Sequence, residues 1–164
     1  MNDLFNIREA KTSDLDRCYE IERAAYAGDE AASKEKILCR IQQYPQGFLI
    51  LENDIEIIGF VNSGATHHVQ LSDEAFKELV GHDAAGKHIV VMSVVVHPDY
   101  QGKGYADTLL SAFIAQMQAL KKSDIYLICQ TELIHLYAKH GFTHLGPSDS
   151  LHGGLSWHEM SLSL

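Results

Sequence analysis

The stretch "VVVHPDYQGKGYAD", residues 94–107, decides how the rest of the chain is read. It closes the apolar run "HIVVMSVVV" (88–96) at Pro98 and opens a long amphipathic segment at Tyr105. The run is apolar on both alternating faces: Val90, Met92, Val94 and Val96 on one, Val91, Ser93 and Val95 on the other. That pattern predicts a central strand covered on both sides. Between strand and helix stand Gly102 and Gly104, flanking Lys103. A tight turn needs only one glycine. Two of them, ahead of a helix, bare a row of backbone N–H groups where the helix dipole favours negative charge. The turn alone leaves anion binding and a purely structural role both open.

Working outward, "FNIREAK" (5–11) alternates and predicts a first strand. "TSDLDRCYEIERAAYAGDE" (12–30) predicts a helix capped by Thr12 or Ser13, with Leu15, Cys18, Ile21, Glu22 and Ala25 at helical spacing and Gly28 ending it. "ASKEKILCRIQQYP" (32–45) predicts a second helix, capped by Ser33, with Ile37, Leu38 and Ile41 inside. "GFLILENDIEIIGFVNSGA" (47–65) is two apolar runs around Glu52-Asn53-Asp54, a hairpin pattern. "SDEAFKELVGH" (72–82) reads as a short capped helix inside a polar stretch. Tyr105, Leu109, Leu110, Phe113, Ile114, Met117 and Leu120 form a helical stripe; "IYLIC" (125–129) is another buried strand. "TELIHLYAKHG" (131–141) is a short helix with Gly141 just past its end, and "FTHLG" and "LSWHEMSLSL" close the chain as two strands. The order β-α-α-β-β-β-α-β-α-β-β is a mixed α/β architecture, expected as one domain over 1–164.

A chain of 164 residues with 46% apolar content is long enough to bury about 70% of its unfolded surface. No run reaches the ~18 apolar residues of a membrane span, and the start lacks a signal-peptide pattern, so a cytoplasmic location and no membrane partner are expected. Cys18, Cys39 and Cys129 lack paired spacing, which favours reduced thiols over a disulfide or zinc framework. The net charge of −9 speaks against nucleic acid and is compatible with a cationic ligand such as an amine. The ten histidines are scattered without metal-ligand spacing, so no metal is expected.

Two anion-binding motifs fail at the glycine turn. The dinucleotide fingerprint lacks its third glycine, since Asp107 stands there, and a P-loop would need a hydroxyl after Lys103, where Gly104 stands. The pattern Gln101-x-x-Gly104-x-Ala106, preceded by Val96-His97-Pro98, resembles the pyrophosphate-binding motif of the GNAT (Gcn5-related) N-acetyltransferases. Downstream, "HLYAKHGF" (135–142) resembles a second segment of the same family. "EIERAAY" (20–26) and the C-terminal third are similar to the arylalkylamine branch, although that branch's paired histidines are replaced here by Val90 and Met92.

The resemblance implies the GNAT fold, a central mixed, mostly antiparallel twisted sheet of about seven strands flanked by about four helices. It implies acetyl-CoA as co-substrate, held by Val94, Val95, Val96, Gln101, Gly102, Lys103, Gly104, Tyr105 and Ala106. It further implies direct transfer of acetyl to a primary amine, a small amine of arylalkylamine or polyamine type, with Tyr137 as general acid to the CoA thiolate. A backbone N–H near Val94 or Val95 would meet the developing oxyanion. Glu22 is the candidate base and Ser93 a candidate for a water wire; His67, His68 and His88 read as surface histidines. A protein N-terminus or lysine is the alternative acceptor, a catalytically silent CoA-binding module the alternative class, and the fold allows a homodimer.

Overall fold

The computed structural model describes residues 5–26, 31–71, 73–149 and 157–164. Gly28, the expected end of the first helix, lies outside them; the helix stops before it, at Ala25, with Tyr26 already extended. The observed order is β1 (Phe5–Glu9), α1 (Leu15–Ala25), α2 (Lys34–Gln43), β2 (Phe48–Asn53), β3 (Ile57–Thr66), β4 (His88–Val96), α3 (Tyr105–Ala119), β5 (Asp124–Cys129), α4 (Ile134–Lys139), β6 (Thr143–Pro147) and β7 (His158–Ser163). This is the order the sequence predicts. Ser33 caps α2 as expected, its hydroxyl accepting from the Lys36 N–H at 3.3 Å. The first helix starts later than expected. Thr12–Asp14 form one 3-10 turn, so the cap falls on Asp14 rather than Thr12 or Ser13. Where a helix over 72–82 is expected, the described residues 73–82 hold only a 3-10 segment, Glu74–Glu78, capped by Asp73.

The seven strands form one sheet in the order β1-β2-β3-β4-β5-β7-β6. Every neighbouring pair is antiparallel except β4–β5. Cys18 and Ile21 of α1 and Ile37 and Ile41 of α2 pack with Phe48, Ile50, Phe60 and Val95 on one face. Leu109, Leu110, Phe113 and Met117 of α3 pack with Ile89, Val91, Ile125, Leu127 and Tyr137 on the other. No helix among the described residues is long and apolar enough to cross a membrane.

One expectation about β4 is corrected. Its register against β3 runs Ser63↔Val91 and then Asn62↔Ser93, which leaves Met92 as an extra residue in a β-bulge. An extra residue reverses the alternation beyond it. Ile89 and Val91 therefore share the α3 face with Val94 and Val96, while Val95 turns to the α1–α2 face. Simple period-two counting assigns Val91 and Val95 to one face; the bulge separates them.

The edge strand is fastened to α1 by charge. Arg8 of β1 holds Asp14 with Nη1–Oδ2 and Nη2–Oδ1 contacts of 2.8 and 2.9 Å, and Glu52 of β2 through Nε at 2.9 Å. Burial pushes the Asp14 carboxyl up, but the Arg8 bonds and the Lys11 N–H outweigh it and hold the pKa below its ordinary value. A carboxylate depressed in this way stabilises the fold above the ordinary aspartate range, and the stabilisation is lost as pH falls through the folded-state pKa. Asp14→Ala is expected to cost about 2–3 kcal/mol by urea titration at neutral pH, with a smaller difference from the parent protein at pH 3.

Candidate active site

The site begins where two parallel strands part. β4 and β5 pair through three residues only, His88↔Asp124, Ile89↔Ile125 and Val90↔Tyr126. The closed end is tied by His88 Nδ1 to Asp124 Oδ1 at 2.6 Å. Beyond Val90 the strands diverge and leave one edge of β4 uncovered. The His97 N–H donates to the Ile58 carbonyl on the β3 side, so alternation turns Val95 toward β3 as well. Val94 and Val96 face the gap. Two side chains confirm the direction: the Tyr26 hydroxyl donates to the Val94 carbonyl at 3.2 Å, and Gln101 Nε2 to the Val96 carbonyl at 3.0 Å. Of the two residues expected near the oxyanion, Val94 presents its N–H to the gap; that of Val95 is turned away.

At the mouth of the gap the chain makes one 3-10 turn, Pro98–Tyr100, and then the glycine turn. Gly102 has φ +78° and Gly104 φ +85°, left-handed values that a β-carbon disfavours. A β-carbon at either position would meet nothing within 4 Å, so the protein's own packing does not demand these glycines. Gly104 caps α3, and none of the N–H groups of 102–106 pairs with a backbone carbonyl outside the helix among the described residues. The turn therefore lies at the positive end of a fifteen-residue helix, with open space where a β-carbon of Gly102 or Gly104 would stand. Tyr105 and Ala106 pack their side chains against the core. Lys103 is exposed with its ammonium 5.7 Å above the Tyr100 ring. Asp107 accepts from His140 Nε2 at 2.8 Å and pairs with Lys139 Nζ at 3.1 Å, binding the start of α3 to the end of α4.

Behind the gap lies a cavity lined by Glu22, Tyr26, Arg40 and Lys77 on one side and by Met92, Ser93, Val94, Cys129, Tyr137 and Trp157 around it. It brings together Tyr137, Glu22, Ser93 and Val94, four of the residues singled out in the sequence. Tyr137 is 5% exposed, its ring packed edge-on against Phe142. Burial, with a smaller contribution from Cys129, pushes its phenol well above the ordinary value, so it stays protonated. Burial and then Glu132 raise the Cys129 thiol to about 11, which makes it a poor nucleophile near neutrality. Glu22 is buried, and its Oε2 accepts the Ala32 N–H at 3.0 Å. Ser93 is a buried residue at the cavity wall, and its hydroxyl makes no hydrogen bond to another described residue.

The structure adds Arg40 and Lys77, which sequence reasoning did not select. One signal existed for Arg40: it follows Ile37 by three residues and precedes Ile41, so it lies on the apolar face of α2. Nothing in its neighbourhood marked Lys77. His67 and His88 are engaged by Asp83 and Asp124, away from this cavity. Among the described residues, no group of three or more His, Cys, Asp and Glu gathers as metal ligands.

Residues 15–142 match the family described as Acetyltransferase (GNAT) family. The chain belongs to that family. As a GNAT chain it is 29% identical over 89 residues to the uncharacterized N-acetyltransferase ycf52 of Pyropia yezoensis, covering 52% of this chain. It is 33% identical over 57 residues, 35% of its length, to ycf52 of Porphyra purpurea. The chain spans about half (51%) of the first relative's length and 33% of the second's. Among solved structures, the loading GNATL domain of CurA from Lyngbya majuscula aligns with TM-score 0.85 at 20% identity, covering 98% of both chains. The GphF GNAT-like decarboxylase in complex with isobutyryl-CoA aligns with TM-score 0.84 at 16% identity, covering 96% of this chain and 98% of its own. The putative acetyltransferase yncA from Salmonella typhimurium, with its cofactor acetyl-CoA, aligns with TM-score 0.71 at 23% identity over 98% and 94%. At these identities the structures share the fold.

Proposed function

We propose that this GNAT chain is an N-acetyltransferase that moves the acetyl group of acetyl-CoA directly to a primary amine held in the cavity behind the β4–β5 gap. The observation that carries this reading is the continuity of three features. The bared amides of 102–106 open on one side, the gap-facing N–H of Val94 lies between, and protonated Tyr137 stands in the cavity wall. Acetyl-CoA supplies a thioester whose carbonyl carbon the amine attacks as the C–S bond breaks.

Each remaining task falls to a residue of this chain. The amides of Gly102 through Ala106 hold the pyrophosphate, and glycine at 102 and 104 keeps side chains off it. The Val94 N–H donates to the oxygen that gains negative charge. Tyr137 gives its proton to the departing sulfur. The proton lost by the amine passes to Glu22, the only carboxylate among the described residues of the cavity wall, with the Ser93 hydroxyl placed to hold an intervening water. The Cys129 thiol, raised to about 11 by burial and Glu132, favours direct transfer over an acyl-cysteine route.

The test is a thermal-shift titration with acetyl-CoA followed by thiol release over a panel of amines. Binding at 100 Kd is expected to stabilise the protein by about 2.7 kcal/mol. Absence of any shift would remove the CoA assignment. A shift with no thiol release from any amine would leave a CoA-binding module in place of an enzyme.

A further inference from the structure

Three charged side chains reach the cavity, and their balance opposes that of the whole chain. The protein carries a net charge of −9, yet the described lining holds Arg40 and Lys77 against the single carboxylate of Glu22. Arg40 is 2% exposed. Its Nε and Nη2 donate to the Lys77 carbonyl at 3.2 and 3.1 Å, and Nη1 to Asn62 Oδ1 at 3.4 Å. All three acceptor contacts go to neutral oxygens. A guanidinium has five N–H donors, so two remain, one on each terminal nitrogen. The Lys77 ammonium has no hydrogen bond or ion pair to another described residue, although the residue is half-buried.

Burying a cation without an anion in contact is unfavourable by several kcal/mol, and native proteins retain one where a partner arrives. Burial lowers the Arg40 guanidinium to about 10 against the opposing pull of Glu22, so it keeps its charge at neutral pH. Burial lowers Lys77 as well, more than Glu74 raises it.

We propose that Arg40 and Lys77 form a carboxylate subsite, so that the transferase takes a substrate carrying a carboxylate beside the reacting centre. The two free guanidinium donors suit the paired oxygens of that group, and Lys77 adds a second cation. The inference rests on the acetyl-transfer reading and narrows it, from primary amines at large to a carboxylate-bearing class. The carboxylate has two chemical sources. It belongs to the acceptor, as in an α-amino acid, or to the acyl chain of the thioester, as in a carboxyacyl-CoA.

Two arms separate them. In the first, acetyl-CoA is held constant while thiol release is measured for a set of amino acids and for the corresponding amino-acid amides. In the second, malonyl-CoA is compared with acetyl-CoA by thermal shift and calorimetry. The subsite predicts a preference of about tenfold to a hundredfold for the carboxylate form in one arm. Arg40→Met is expected to erase that preference, and Lys77→Met to reduce it. Lys77 is the decisive variant should Arg40→Met fail to fold, because its ammonium has no partner within the described protein to lose. Equal treatment of both forms in both arms, with ordinary amines still acetylated, overturns the subsite and leaves the acetyltransferase. Unchanged preference in the folded Lys77→Met and Arg40→Met variants overturns it as well. A protein that responds to no CoA thioester overturns both.

Discussion

Gly104→Val is expected to lower affinity for acetyl-CoA by at least about tenfold while leaving the protein folded. Two effects act together. Residue 104 has φ +85°, where a β-branched side chain costs about 1–3 kcal/mol of backbone strain. Its β-carbon would project into space that contains no protein atom within 4 Å, so nothing in the fold is displaced. In the proposed function, that same space is where the phosphate oxygens approach the backbone amides of the turn. Loss of one or two charge-assisted hydrogen bonds there, at about 1.5–3 kcal/mol each, accounts for the fall in affinity. Calorimetry with CoA, alongside a melting curve without it, separates the two effects. Unaltered affinity in a variant destabilised by the expected strain would show that the turn is structural.

Tyr137→Phe is expected to reduce kcat by about a hundredfold with acetyl-CoA affinity nearly intact, the size of effect associated with a lost general acid. The substitution is conservative in packing, since the phenylalanine ring keeps the edge-on contact with Phe142 and the surrounding apolar core. It removes only the hydroxyl, which burial keeps protonated well above the ordinary range of a phenol. The rate profile of the parent should therefore show no loss of the tyrosine proton below pH 10. A variant with parental kcat would exclude Tyr137 from the chemistry and leave it a core aromatic.

The legible part of this protein is the part governed by local periodicity. The seven strands and four helices among the described residues follow from alternation, apolar runs, helical stripes and turn residues, all of them local signals. The glycine turn is equally legible: left-handed backbone and close approach both require residues without a β-carbon. What sequence could not show depends on long-range register. Val91 and Val95 belong to opposite faces only because β3 skips Met92 in pairing, a fact with no local signature. Arg40 reaches the cavity because α2 packs across β3, and the polar contacts that hold it come from residues 22 and 37 positions away in the chain. The start of α1 was misplaced for a smaller reason. Asp14 serves both Arg8 and the Lys11 N–H, which draws the first turn into a tighter 3-10 conformation.

The bulge at Met92 has a consequence for how this protein tolerates change. Upstream of it, β4 pairs with β5; downstream, the same strand leaves one backbone edge without a strand partner among the described residues. The boundary between the two halves is set by arithmetic, one residue more on β4 than on β3. The side chain at 92 lines the candidate cavity, but the bulge depends only on a residue being there. Deletion of Met92 would leave Val91 and Ser93 adjacent and on opposite faces, so Ser93–Val96 would keep their faces and their β3 partners while the bulge itself is lost. For this fold the critical variable at that point is a count, and removing one residue should straighten the strand beside the opening while its pairing with β3 persists.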